Sequence, residues 1–326
     1  MENTTALLWR QEEVLSERHV FVVEADDAAL HNLQARSLVV HSDLATIAAQ
    51  QYSAWPQVPA QADLIVVVLP KARQRLELLL TALASSIASP VELWLVGPGK
   101  GGIKGALKQL KNYTTDGHVE NIDNARHCRL YSIMLAPQKP ATLADFAQQW
   151  VGEGNKHISY PGVFSHGRLD DGTALLLSVL PADFTGQQVL DMGCGAGVLS
   201  LALAQRGAQV VASDVSATAV AATEATLALH EVAASVQGAD LYGDLKQRFD
   251  VICTNPPFHE GIKRTTVTTE TLIQQAPQYL TAAGELWMVA NHGLPYEELL
   301  RQHFEHVETL AANNRFVVWR AITPRV

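Results

Sequence analysis

The sequence predicts an α/β protein of two tandem, doubly wound domains, each a mostly parallel sheet with a C-terminal antiparallel hairpin. Three observations predict it. Short apolar runs alternate with helix-compatible segments through the second half. That half ends on two strand-like runs joined by Asn313-Asn314. Parts of the first half repeat the same plan.

The second half reads most directly. Val189-Leu190-Asp191 is apolar, ends in an acid and runs into glycines, as a buried parallel strand entering a tight turn would. Residues 198–205 have helical character, and 209–214 form a second strand that again ends in an acid. Residues 217–229 form an Ala-rich helix, and a third short strand precedes Asp240. A strand at 249–255, a helix over most of 265–280 and a strand at 285–291 follow. Residues 306–311 and 315–322 make the final hairpin, where the tolerance of Asn for positive φ fits a tight turn.

The first half looks like a copy. Residues 62–71 resemble 249–258: Asp63 and Asp250 open matching apolar runs that end at Pro70 and Pro256. Residues 91–96 resemble 284–289 around Glu92-Leu93-Trp94 and Glu285-Leu286-Trp287. Residues 127–135 match 315–322. This reads as an internal duplication, against the alternative that any two α/β domains share such strands. The strand at 19–25 runs into Asp26-Asp27-Ala28-Ala29, with no glycine turn, and the later one ends Leu69-Pro70-Lys71. The first half keeps the fold and has lost the chemistry. Domains are expected at 1–140 and 161–326, with a linker at 141–160 inside the Pro-containing, polar stretch 136–162.

The chain-wide numbers agree. A length of 326 residues suits two domains, and 48% apolar residues let each bury a core. A net charge of −9 argues against a protein that coats nucleic acid everywhere, but leaves room for a local basic patch. Cys128, Cys194 and Cys253 are far apart and read as reduced thiols, with no metal-ligand spacing. No signal-peptide pattern opens the chain, and the apolar runs 64–69 and 174–177 are far short of the ~20 residues of a membrane span. A soluble, cytoplasmic monomer without membrane or metal partners is expected.

Asp191-Met192-Gly193-Cys194-Gly195-Ala196-Gly197 lies between a strand and a helix. Glycines there allow positive φ and close approach of a ligand, and the helix N-terminus beyond favours an anion. Asp214, ending the next strand, suits the two hydroxyls of a ribose. The spacing Gly-x-Gly-x-Gly differs from the Gly-x-Gly-x-x-Gly of dinucleotide sites. An acid beside the loop fits the ammonium and sulfonium of S-adenosyl-L-methionine. A dinucleotide site and a structural turn are the alternatives. Asp240 is a candidate partner of the adenine amino group or a solvated loop acid.

Asn255-Pro256-Pro257-Phe258 ends the strand that follows. The prolines fix the backbone and remove two donors, leaving carbonyls to face a ligand. An exocyclic amine on an aromatic ring is a poor nucleophile. The Asn255 side-chain oxygen and the Pro256 carbonyl can accept its two N–H bonds and aim its lone pair at the sulfonium methyl. Phe258 can stack on a base. No metal or covalent intermediate is needed. A rigid Pro-Pro turn is the bland reading. Placement at the same sheet edge as the glycine loop weighs against it.

The chain resembles the bacterial ribosomal RNA guanine-N2 methyltransferases, in particular the small-subunit (16S) family. The resemblance spans nearly the whole chain. It rests on Tyr160-Pro161-Gly162-Val163-Phe164-Ser165, Leu169-Asp170, the 189–200 loop region, Asp214-Val215-Ser216, Asn255-Pro256-Pro257-Phe258-His259 and Arg320-Ala321-Ile322. In the more divergent first half it is carried by Leu69-Pro70-Lys71 and the strand 92–97. It implies two Rossmann-like class I methyltransferase domains, the N-terminal one degenerate, and methylation of one guanine of 16S rRNA on the 30S subunit. Residues 161–165, with Phe164, are expected to cover the cofactor entrance, or simply to lead into the catalytic domain.

Residues 71–111 hold seven cations (Lys71, Arg73, Arg75, Lys100, Lys104, Lys108 and Lys111) against Glu77 and Glu92, a net +5. Lys100, Lys104, Lys108 and Lys111 recur at helical spacing and form a candidate surface for RNA phosphates, or a solvated face. Lys263 and Arg264 are candidates for phosphates near the target, or an ordinary surface pair. Competing functions are methylation of a 23S rRNA guanine, of an adenine N6 or of a protein glutamine, and a non-catalytic ribosome assembly role. Intact Asp191, Gly193, Gly195, Asp214 and Asn255 argue against the last.

Overall fold

The computed structural model describes residues 1–256 and 262–325, and the side chains of 262–266 lie outside the description. The chain divides into two compact units, residues 1–147 and 148–326.

The first unit runs α1 (Asn3–Trp9), α2 (Glu12–Leu15), β1 (His19–Val23), β2 (Ser37–Ser42), β3 (Gln51–Tyr52), β4 (Leu64–Val68), α3 (Arg73–Ser86), β5 (Val91–Pro98), α4 (Ile103–Leu110), β6 (Glu120–Ala125) and β7 (Cys128–Leu135). Its seven strands lie in the order β3-β2-β1-β4-β5-β7-β6. Every residue of β4 is buried, since a central parallel strand is covered on both faces.

The second unit opens with a two-stranded antiparallel ladder, β8 (Gln148–Gly152) and β9 (Asn155–Ser159). Then come α5 (Asp171–Val179), β10 (Gln188–Met192), α6 (Val198–Gln205), β11 (Gln209–Asp214), α7 (Ala217–Leu229), β12 (Ser235–Gly238) and β13 (Phe249–Thr254). The unit finishes with α8 (Ile262–Tyr279), β14 (Leu280–Asn291), α9 (Tyr296–His303), β15 (Phe304–Ala312) and β16 (Phe316–Pro324). The sheet order is β12-β11-β10-β13-β14-β16-β15. Strands β10 to β14 pair in parallel, while β16 is antiparallel to both its neighbours.

Numbered within its own sheet, each unit has the strand order 3-2-1-4-5-7-6. The matched sequence pairs fall on equivalent strands: β4 with β13, β5 with β14, β7 with β16. A side-chain detail repeats too. Trp94 Nε1 donates to Glu92 Oε1 at 2.7 Å, and Trp287 Nε1 donates to Glu285 Oε2 at 2.8 Å. Residues two apart share a face of a strand, so the Glu-x-Trp spacing alone brings acid and indole together.

Three differences from the sequence reading have physical reasons. The stretch 141–160, expected as a linker, holds the boundary between the two units and is itself structured. It carries a 3-10 turn at Leu143–Phe146 and then the β8–β9 ladder, because Trp150 and His157 alternate inward and pack on each other at 4.7 Å. The final turn does not use positive φ at Asn313 or Asn314. Instead Asn313 Oδ1 accepts from the backbone N–H of Arg315 and of Phe316, both at 2.8 Å, so its side chain closes the turn. Finally, β2, β3 and β6 went unread. In β6, Glu120 to Ala125 is an edge strand with a polar, exposed sequence and no apolar run to mark it.

Among the described residues, no helix is long and apolar enough to cross a membrane.

Candidate functional site

The C-terminal ends of β10, β11 and β13 are adjacent because Met192 pairs with Ser213 on one side and Thr254 on the other. Thr254 Oγ1 donates to the Met192 carbonyl at 2.8 Å and ties two of these ends together. The glycine loop leaves β10 at once. The N–H groups of Gly193 and Cys194 both donate to the Ser213 carbonyl, at 2.8 and 3.1 Å. Gly193, Gly195 and Gly197 have φ of +79°, +56° and +76°. A Cβ on Gly197 would also lie 3.1 Å from Thr223 Cα, so both backbone and packing demand glycine there.

Two threonines of α7 brace the loop. Thr223 Oγ1 donates to the Gly195 carbonyl at 3.0 Å, and Thr226 Oγ1 to the Ala196 carbonyl at 2.9 Å. Thr226 Oγ1 in turn accepts from Ile158 N–H at 2.9 Å, which docks β9 on the loop's support.

Three predicted residues define the chemistry of the loop. Asp191 is buried, and its Oδ2 accepts from Ser200 Oγ. Its Oδ1 has no partner among the described residues. Loss of hydration, and then the charge of Asp214, push this carboxyl up to about 7. Asp214 accepts from Gly195 N–H at 3.0 Å through one oxygen and from Ser216 N–H at 2.9 Å through the other. Burial raises this carboxyl as well, against those backbone donors. Cys194 is buried and lines the cleft at the loop, its Sγ hydrogen-bonds Thr223 Oγ1 at 3.2 Å, and burial pushes its thiol well up.

Asn255 lies across the loop: a Cβ on Gly193 would be 4.0 Å from the Asn255 carbonyl oxygen. Asn255 Nδ2 donates to Asp170 Oδ2 and to Thr173 Oγ1, each at 2.8 Å. Its Oδ1 is buried and has no partner among the described residues. Trp150, Phe164, Asp170, Gly193, Gly195 and Asn255 line one cleft. Phe164 is exposed at 46%, in keeping with a place at the rim.

Pro256 is buried beside this cleft residue. Pro257 and Phe258 lie outside the described residues, as do the side chains of Lys263 and Arg264. Asp240 is exposed just past β12 and does not line the cleft. Lys104 and Lys108 are exposed on α4, with Lys100 exposed before it and Lys111 at its C-cap. Arg75 does not belong with them. It is buried and donates to Glu24 at 2.9 and 3.0 Å.

That ion pair lies where the second unit has its glycine loop. Glu24 follows β1 as Gly193 follows β10, and it has φ +60° without being glycine. Ala25 N–H donates to the His41 carbonyl at 3.0 Å, repeating the bond from Cys194 to Ser213. Ser42 stands where Asp214 stands, and its hydroxyl donates to the Ala25 carbonyl at 2.7 Å. The Glu24 carboxylate, the Arg75 guanidinium and a neutral His41, pushed down to about 4 by burial, cluster at this strand end.

Sequence reading assigned no role to Trp150, Asp170, Thr173, Ser200 or Thr223. Only Asp170 carried a signal. It stands three residues before Thr173 at the start of an apolar run, a helix N-cap spacing, and it accepts from Thr173 N–H at 3.0 Å.

A sheet of this order, with a glycine loop after its first strand and an acid after its second, is the cradle of a class I S-adenosylmethionine-dependent methyltransferase. The model of the family described as methyltransferase small domain matches residues 155–320, and that of its N-terminal domain matches residues 5–150. A ribosomal RNA small subunit methyltransferase C from Alcanivorax borkumensis is 47% identical over 325 residues, 99% of each chain. Its namesake from Pectobacterium atrosepticum is 34% identical over 339 residues, 98% of this chain and 94% of its own. The chain belongs to the ribosomal RNA small subunit methyltransferase C family. The fold of the T. thermophilus 16S rRNA N2 methyltransferase, solved with AdoMet and guanosine, matches with a TM-score of 0.84 at 24% identity, over 99% of this chain and 92% of that one.

Proposed function

We propose that this protein transfers a methyl group from S-adenosylmethionine to the exocyclic N2 of a guanine in 16S rRNA, presented on the 30S subunit. The observation that carries the reading is Asn255. Both its amide hydrogens are committed, and its oxygen has no partner among the described residues beside the glycine loop.

The residues fit the cofactor. Asp214 offers its carboxylate to a ribose, Asp191 holds a carboxylate oxygen with no partner among the described residues for a cation, and three glycines open the backbone. When bound, S-adenosylmethionine supplies an electrophilic methyl on its sulfonium. Asn255 Oδ1 and the Pro256 carbonyl accept the two N–H bonds of the target amine and aim its lone pair. The remaining work is orientation and charge placement. Phe258 stacks on the base and Phe164 closes the rim. Lys263 and Arg264 hold nearby phosphates, and Asp240 is the candidate for the adenine end. Lys100, Lys104, Lys108 and Lys111 hold RNA phosphates on the first unit, which has the Glu24–Arg75 ion pair in place of the glycine loop.

The test is transfer of labelled methyl groups to 30S and 50S subunits and to free 16S and 23S rRNA from a strain lacking the gene. N2-methylguanosine confined to 30S or 16S material is the expected result. The same nucleoside in 50S or 23S material would reassign the substrate, and label in protein alone would point to glutamine.

A further inference from the structure

We propose that Asp170 and Thr173 are positioning residues that lock the Asn255 amide so that only its oxygen faces the substrate amine. This rests on the reading of Asn255 given above and adds the device that makes it work. A primary amide is nearly symmetric in shape. Rotated by half a turn, Asn255 would present N–H groups to a substrate that itself offers N–H groups, and no acceptor would remain. What prevents the rotation is the chemistry of the partners. An ionised carboxylate only accepts hydrogen bonds. Rotation would set Asn255 Oδ1 against Asp170 Oδ2, where a 2.8 Å donor–acceptor contact now stands. The Thr173 hydroxyl, 2.8 Å from the same nitrogen, can donate as well as accept, so it holds the amide in place while the carboxylate sets its direction.

The two acceptors are themselves fixed by one helix start. Asp170 is the N-cap of α5, and the oxygen that receives Asn255 also receives Thr173 N–H at 3.0 Å. Thr173 sits at the third helical position, so its hydroxyl and the capping carboxylate converge on the same amide. Asn255 precedes Pro256, which restricts its own backbone. The substrate-facing oxygen is thus set by an element about 80 residues earlier in the chain, through contacts that leave the cofactor acids untouched.

The variants Asp170→Ser and Thr173→Val, and their double, test this in the full-length protein with 30S subunits from a strain lacking the gene. Serine still caps the helix, but its oxygen is too close to the backbone to reach Asn255. Valine keeps the shape of threonine and its N–H. The double variant is expected to lose about 10- to 100-fold in kcat. The KM for 30S and the calorimetric Kd for S-adenosylmethionine should change by less than about threefold. Asp170→Asn and Thr173→Ser keep an acceptor in place and should restore kcat to within about threefold. Asn255→Ala is run alongside. If it loses activity while the double variant keeps full kcat, the positioning role is overturned and the reading of Asn255 stands. If Asn255→Ala itself keeps full kcat, that reading is what fails. Equal kcat losses in Asp170→Asn and Asp170→Ser would also overturn the proposal, since amide orientation would then not be what the carboxylate provides.

Discussion

Asp191 has one oxygen held by Ser200 and the other without a partner among the described residues. Its folded-state carboxyl is raised to about 7, far above its ordinary value. Ionisation is therefore disfavoured in the folded protein. Whatever stability Asp191 lends is complete below its ordinary range and is lost as pH rises through about 7. A cationic cofactor reverses the preference, because it favours the carboxylate. Calorimetric affinity for S-adenosylmethionine should rise between about pH 5.5 and 7 and flatten in Asp191→Asn. An unchanged slope in the variant would place the titration elsewhere. Asp214 and Asn255 should separate in the same assays. Asp214→Ala should raise the cofactor Kd about tenfold or more, through lost ribose hydrogen bonds. Asn255→Ala should cut kcat about 100- to 1,000-fold with the cofactor Kd nearly normal. The identities of these three residues were legible in the sequence, because strand ends and glycine spacing announce them. Their partners were not, since Ser200 and Thr173 look like any helix serine and threonine until α5 and α6 are packed.

At the scale of elements, the glycine loop and its vestige show how a site is kept or closed. In the second unit three positive-φ glycines leave open backbone, and Thr223 and Thr226 hold the loop from α7. In the first, Glu24 takes the left-handed place and draws Arg75 into the interior. Replacing Glu24 by Ala would strand a buried guanidinium, with Asp43 left at 3.6 Å. Denaturant unfolding of Glu24→Ala should show a loss of about 3–5 kcal/mol, the usual cost of breaking a buried pair from one side. A change within experimental error would mean that Asp43 takes over the charge. The absence of a glycine turn after β1 was readable from the sequence, but the buried ion pair was not. Arg75 lies between Arg73 and Glu77 in a stretch that looks uniformly solvated, and only the packing of α3 turns it inward.

For the whole molecule, charge is distributed against its total. The chain carries −9, yet α4 and its flanks present four exposed lysines. If they neutralise phosphates, replacing Lys104, Lys108 and Lys111 by Ala should weaken 30S binding. It should also lower the slope of log affinity against log salt by about 2 to 3, with cofactor affinity unchanged. An unchanged slope would leave these lysines as a solvated face. The repeated strand order 3-2-1-4-5-7-6 gives the same picture at this scale: one plan used twice, with chemistry in one copy.

By itself the sequence determined the fold class, the duplication, the glycine loop, the acid Asp214 at the end of its strand and the Asn255-Pro256 strand end. These are properties of local spacing: apolar runs, positive-φ glycines and proline-fixed backbone are written in neighbouring residues. Only the tertiary structure decided that 148–159 is a ladder docked on α7 and that Arg75 is buried. It alone showed that Asn313 closes its turn with a side chain and that Asp170 and Thr173 hydrogen-bond the Asn255 amide. Each of these depends on which helix face meets which strand end, and contacts between residues tens of positions apart leave no periodic mark in the chain.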